Sequence, residues 1–191
     1  KQVNRLPQDT SINDSINTLI KYKINGLLTI DRETHPVGVL SKTDILGAYY
    51  ADLPIESPIE FIMSSPPLFC SIDDPLEKAL EQMRDHRVYR LYVCEPTEGR
   101  VGGTLAYPDI VGMLYKLCHT CEYSHFSSRD SKRTAARLRV SDSMSRGVKS
   151  VCETDSLIQA MEELSMYRLG ALLVTDSTGE PTGVISKTDV I

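Results

Sequence analysis

Apolar positions along this chain recur with two periods, and the same order of the two returns three times. Short apolar stretches at Val3–Leu6, Leu68–Ile72 and Val148–Cys152 read as opening strands. Each is followed by a residue suited to capping a helix, Thr10, Asp74 or Asp155, and Pro75 fits the first helical position of its copy. Helical spacing then takes over: Ile12, Ile16 and Leu19 form one apolar stripe, matched by Leu76, Leu80 and Met83 and by Leu157, Met161 and Leu164. β-rich runs come next at Gly26–Ile30, Arg90–Cys94 and Ala171–Thr175. A turn holding Asp31, Glu95 or Asp176 leads to a further strand ending at Leu40, Leu105 or Ile185. A last helix opens near Thr43, Pro108 or Thr188. The predicted unit is β-α-β-β-α.

The ends of these units are nearly identical strings. Gly-Val-(Leu/Ile)-Ser-Lys-Thr-Asp-(Ile/Val) occupies Gly38–Ile45 and again Gly183–Val190, and a looser copy runs Gly103-Thr-Leu-Ala-Tyr-Pro-Asp109-Ile110. Superimposing the aspartates gives offsets of 65 (109 − 44) and 145 (189 − 44). The second offset carries Asp31 onto Asp176 and Tyr22 onto Tyr167. An offset of 64, upstream of one extra loop residue, brings Glu95 opposite Asp31, Met83 opposite Leu19 and Ala79 opposite Ser15. The chain is three copies of one unit, and such repeats decide the fold before anything else does.

Ser-x-x-Asp directly after a strand admits two readings. The plain one is a capping box, with serine as N-cap and the acid at the third helical position. The functional one uses the same geometry for a ligand. A helix N-terminus suits a phosphate, a carboxylate accepts both hydroxyls of a ribose, and the serine hydroxyl reaches sugar or phosphate. Ser41 and Asp44 keep both groups, as do Ser186 and Asp189, whereas the middle copy has Ala106 with Asp109. Lys42, Thr43, Lys187 and Thr188 fill the intervening positions; a lysine there sits next to the phosphate or is simply solvated.

With the N-capped first helix, the apolar strand ending in an acidic turn, and Gly-h-h-Ser-x-x-Asp in three ordered copies, the chain resembles the CBS-domain family, named after cystathionine β-synthase. The resemblance covers nearly all of the chain except one linker. It implies an α/β (α+β) fold in which β-α-β-β-α units pack as pseudo-two-fold pairs. It also implies a regulatory module that binds adenine nucleotides (AMP, ADP or ATP) between units and relays occupancy to a partner domain or protein. By the same resemblance Ser41, Asp44, Ser186 and Asp189 serve the nucleotide. Asp109 belongs to a site weakened by the missing hydroxyl, and Arg90 corresponds to a position where some members present a basic residue to phosphate.

Composition narrows the alternatives. Twenty-one Lys and Arg against 26 Asp and Glu give a net charge of −5, which argues against a nucleic-acid partner. No apolar stretch approaches the roughly 18–20 residues that span a bilayer. Five cysteines at irregular spacing fit a reducing, cytoplasmic setting better than a disulfide framework. Cys118, Cys121 and His125 have metal-ligand residue types, which leaves a metal or redox sensor as a weaker reading. No phosphate loop or nucleophile elbow appears, so the chain is not expected to be an enzyme or to require a cofactor.

The expected organisation is unit one at 1–52 with a truncated first strand, unit two at 58–121, a polar linker at 122–139 and unit three at 140–191 with a truncated last helix. Ser127-Ser-Arg-Asp-Ser-Lys-Arg133 forms the linker's core. Units one and two are expected to pair within the chain. Unit three is then left without a partner, which predicts a homodimer. The alternative function is a ligand-free dimerisation or interaction module in which Ser-x-x-Asp only caps helices.

Overall fold

The computed structural model describes residues 3–95, 101–120 and 139–191, with the side chains of residues 115–120, 142 and 143 left aside. Copy one comprises β1 (Arg5–Pro7), α1 (Ile12–Lys21), β2 (Gly26–Ile30), β3 (Pro36–Ser41) and α2 (Lys42–Tyr50), followed by a 3-10 turn at Ile59–Phe61. Copy two has β4 (Phe69–Ser71), α3 (Leu76–Asp85), β5 (Arg90–Cys94), β6 (Val101–Ala106) and α4 (Tyr107–Thr120). After the short α5 (Val140–Ser143), copy three has β7 (Ser150–Cys152), α6 (Leu157–Met166), β8 (Ala171–Thr175), β9 (Pro181–Ser186) and α7 (Lys187–Val190). Each copy is a three-stranded sheet whose middle strand pairs in parallel with the first and antiparallel with the last. The β-α-β-β-α unit is therefore present three times. All three middle strands bulge at the same place, after Thr29, Val93 and Val174.

The middle strands have the bounds that the β-rich runs predict, and the last strands run one residue further, to Ser41, Ala106 and Ser186. The caps of the first helices differ from expectation. Ser11, Pro75 and Ser156 are the N-caps, not Thr10, Asp74 and Asp155. The acids have another partner: Asp74 accepts from Ser71 N at 2.8 Å and Asp155 from Cys152 N at 2.7 Å. Each thereby fastens the end of a strand to the start of a helix. Copy one has Pro7 at the donor position, with no N–H to offer, and Thr10 stands where the acid would be.

The described residues form two compact units, one of Lys1–Leu68 with Val148–Ile191 and one of Phe69–Gly147. The first joins copy one to copy three. Ile12, Leu19, Leu27, Leu40, Ile45 and Ala48 make the core of copy one, closed by Ile59 from the 3-10 turn. Leu46, on the opposite side of α2, enters the core of copy three with Val151, Ala160, Met161, Leu164 and Leu172. Copy three is therefore not without an intramolecular partner, and the reason for expecting a homodimer falls away. The partnership runs through helices α2, α6 and α7, which comparison of strand patterns does not reveal. The second unit, copy two, buries Cys70, Ala79, Met83, Leu91, Tyr92 and Ile110.

Candidate functional site

β3 passes into α2 at Ser41, and β9 passes into α7 at Ser186. Ser41 N and Ser41 Oγ both donate to Asp44 Oδ2, at 2.7 and 2.6 Å. Ser186 and Asp189 repeat this at 2.8 and 2.6 Å, and Thr188 N donates to Ser186 Oγ at 3.3 Å. Ala106 N donates to Asp109 Oδ2 at 3.1 Å. One carboxylate oxygen of every copy thus caps its helix, as a capping box requires. Among the described residues Asp44 Oδ1 has only a long bond from Ser64 Oγ, at 3.4 Å.

That carboxylate lines a cleft of about 360 Å³. Thr43, Asp44, Gly47 and Ala48 come from α2, Leu53 and Ile62 from the segment that follows it, and Ser165 and Arg168 from copy three. Ala48, Leu53 and Ile62 supply apolar surface, and a hydroxyl, a carboxylate and a guanidinium converge beside it. Burial pushes the Asp44 carboxyl above the usual range, against the downward pull of the Ser41 and Ser64 bonds and the Arg168 charge. Asp189 is shifted the opposite way, held low by the Ser186 side-chain and backbone bonds and by the charge of Lys42. One motif therefore carries two carboxylates of different character because one is half-buried and the other exposed.

The two helix starts face each other and exchange bonds. Lys42 Nζ donates to Thr188 Oγ1 at 3.0 Å, and Lys187 Nζ donates to Thr43 Oγ1 at 2.6 Å. The reciprocity is that of a pseudo-two-fold pair. Neither side chain is a freely solvated lysine: Lys42 is 7% exposed. Burial lowers the Lys187 ammonium and Arg168 adds to this, while Asp44 opposes it.

The CBS domain model matches residues 1–51, 59–115 and 140–191. The chain belongs to the CBS-domain family. A solved CBS domain protein from Pyrobaculum aerophilum, complexed with AMP, is 27% identical, with 62% of this chain and 93% of that one covered at a TM-score of 0.55. A protein from Methanocaldococcus jannaschii, a proposed archaeal homologue of γ-AMPK, matches 99% of this chain and 67% of its own at a TM-score of 0.79 and 16% identity. Among curated proteins, inosine-5'-monophosphate dehydrogenase of Aquifex aeolicus (strain VF5) is 24% identical over 153 residues. This chain spans 28% of the length of that enzyme.

Of the residues nominated from sequence, Lys42, Thr43, Asp44, Lys187, Thr188 and Asp189 lie around the meeting of two CBS units, with Ser41 and Ser186 one residue behind. Asp109 and Arg90 belong to copy two, and the strand register sets Arg90 directly opposite Ala106. Copy two has thus lost a hydroxyl and gained a guanidinium at neighbouring positions. Arg90 also pulls down the Tyr92 hydroxyl, which burial raises. Cys121 and His125, and the side chain of Cys118, lie outside the described residues, as does nearly all of the linker. Among the described residues no cluster of three His, Cys, Asp or Glu side chains is placed to hold a metal ion, and no helix is long and apolar enough to cross a membrane.

Sequence reasoning missed Arg168 and Ser165. A signal for Arg168 was available, because the repeat offsets align it with Lys23 and Arg87, three basic residues in one register. All three also have positive φ, at 52°, 51° and 53°.

Proposed function

We propose that this chain is a regulatory module that binds an adenine nucleotide in the cleft of copy one and relays occupancy to a partner domain or protein. The observation that carries the reading is the convergence of Thr43, Asp44 and Arg168 beside the apolar surface of Ala48, Leu53 and Ile62. A ribose needs an ionised acceptor, a base needs an apolar surface, and a phosphate needs a cation and a helix N-terminus. The volume of about 360 Å³ sits at the lower end of the roughly 300–1,000 Å³ common for small-ligand sites. The AMP-bound relative supports the reading.

In this proposal Asp44 Oδ1 accepts the ribose hydroxyls while Oδ2 goes on capping α2. Thr43, Arg168 and Lys187 face the phosphate, and Ser41 holds the carboxylate in place. Ser186, Lys187, Thr188 and Asp189 form the related site of copy three, with Lys42 reaching across. Asp109 and Arg90 form a weaker site in copy two. The role is regulatory, not catalytic, and the free thiols among the described residues, Cys70, Cys94 and Cys152, fit a cytoplasmic setting.

Titration calorimetry with AMP, ADP and ATP tests this. Saturable binding is expected, weakened about 10- to 100-fold by Asp44→Ala, the equivalent of a charge-assisted bond worth roughly 1.5–3 kcal/mol. No heat with any of the three at millimolar concentration sinks the proposal and leaves the ligand-free interaction module. That second reading has an observation in its favour, because each Ser-x-x-Asp caps its own helix and the crossed lysines join copies one and three. Lys187 supplies a further check. A bound phosphate restores its depressed basicity, so nucleotide binding takes up protons as the pH nears the lysine range. Repeating the titration in buffers of different ionisation enthalpy reads that uptake directly.

A further inference from the structure

Copies one and three are covered unequally. In copy one the segment Ile55–Ser64 lies across the sheet edge and the start of α1. Ile12 N donates to Ser57 O and Asn13 N to Ile55 O, both at 2.9 Å. Ile59 N donates to Thr10 O at 2.9 Å and Glu60 N to Gln8 O at 3.1 Å. Val39 and Ser64 exchange two bonds of 2.9 Å, which adds a short rung to β3. Ile59 is fully buried, and Gly38 is so closely covered that a Cβ there would collide with the Met63 side chain.

The 145-residue offset carries these partners onto Leu157, Ile158, Asp155, Glu153 and Val184. Among the described residues no segment lies across them. Leu157 is 55% exposed where Ile12 is 3% exposed, and Val184 is 66% exposed. Gly183, the equivalent of Gly38, has only Val174 Cβ near it, at 4.0 Å. The backbone donors, the apolar seat and the glycine notch of copy one are all present, and they stand open.

We propose that this face of copy three is the docking site for the lead-in segment of a further CBS unit, a segment with the pattern Pro-Ile-x-x-Ile-Met-Ser that carries one 3-10 turn, as Ile59–Phe61 does in copy one. The choice of occupant follows from copy one, where the segment in question leads into the next unit: the CBS match of copy two begins at residue 59, within it. Such a segment gains main-chain bonds at the open edge and helix start, and the notch and apolar seat set which sequence fits. The inference is independent of any nucleotide.

The test uses a labelled synthetic peptide copying Ile55–Ser64, titrated into the 191-residue chain and read by fluorescence anisotropy. Saturable one-to-one binding is expected, weakened at least about tenfold, or 1.4 kcal/mol, by Gly183→Val and by Leu157→Asp. Both positions are open to solvent, so neither change obstructs folding, and circular dichroism verifies this. Absence of saturable binding overturns the proposal, as does binding that both variants leave unchanged. Sedimentation showing a dimer that Gly183→Val dissolves overturns it too, since a second copy then occupies the face.

Discussion

Thr29 is fully buried in β2, and its hydroxyl has no hydrogen-bond partner among the described residues. The same position holds Val93 in copy two and Val174 in copy three. The repeats thus provide a ready-made comparison, in which two units fill with a methyl the place that one fills with an unmatched hydroxyl. Thr29→Val should raise stability by about 1 kcal/mol, the low end of the cost of an unsatisfied buried hydroxyl, as read from urea unfolding midpoints. Ser15 is the contrasting case. It is equally buried, but its Oγ donates to Ile12 O at 2.6 Å, so truncation to the alanine of its counterparts gains little. Asp44 and Asp189 differ in sign. The Asp44 carboxyl is raised in the folded state, so its contribution is complete below the unfolded value near 3.8 and fades as pH rises through the folded value. Asp189 is lowered, and its contribution is present above that value and fades as pH falls. Relative to D44N the wild type should therefore lose stability as pH rises above about 3.8, and relative to D189N it should lose stability as pH falls below about 3.8. Unfolding series across pH that run parallel for wild type and variants would refute this. The sequence pattern made the two acids look equivalent, because the cleft around the first is completed by residues 62 and 168, far from the motif that carries it.

The helices show what such patterns convey and where they slip. Stripes of apolar residues located α1, α3 and α6, and the repeated strings located α2 and α7 to within one residue. The caps slipped by one because threonine and aspartate suit both an N-cap and the bond back to the strand end, and only the backbone path distinguishes them. Lys23, Arg87 and Arg168, after the ends of α1, α3 and α6, adopt left-handed backbone that favours glycine. Lys23→Gly should stabilise the chain by about 1 kcal/mol, measured by thermal unfolding. Arg168→Gly should relieve the same strain yet weaken nucleotide binding, since its guanidinium lines the cleft of Asp44. A variant that binds nucleotide normally would assign Arg168 to the surface alone.

At the scale of the whole molecule, the pairing of copies one and three was the part least legible. It depends on Leu46, the apolar residue just after the string that copies one and three share, and nothing in its own neighbourhood tells which core it enters. Leu46→Ala should cost about 3 kcal/mol, in the range for a leucine removed from a packed core. The loss should appear in the transition that reports on Val151 and Leu172, although the substitution lies more than a hundred residues earlier. Leu91→Ala, in the core of the other compact unit, should leave that transition in place. Hydrogen exchange resolved by segment separates the two outcomes.

Leu46 also sets a timetable for synthesis. Its core partner Met161 is translated 115 residues later (161 − 46), which at about 5–20 residues per second is roughly 6–23 seconds. Through that interval α2 carries an apolar side chain with no core to receive it. The nascent chain must cross this window before copy three emerges, so slower elongation between residues 46 and 161 lengthens its exposure to aggregation and to chaperone capture.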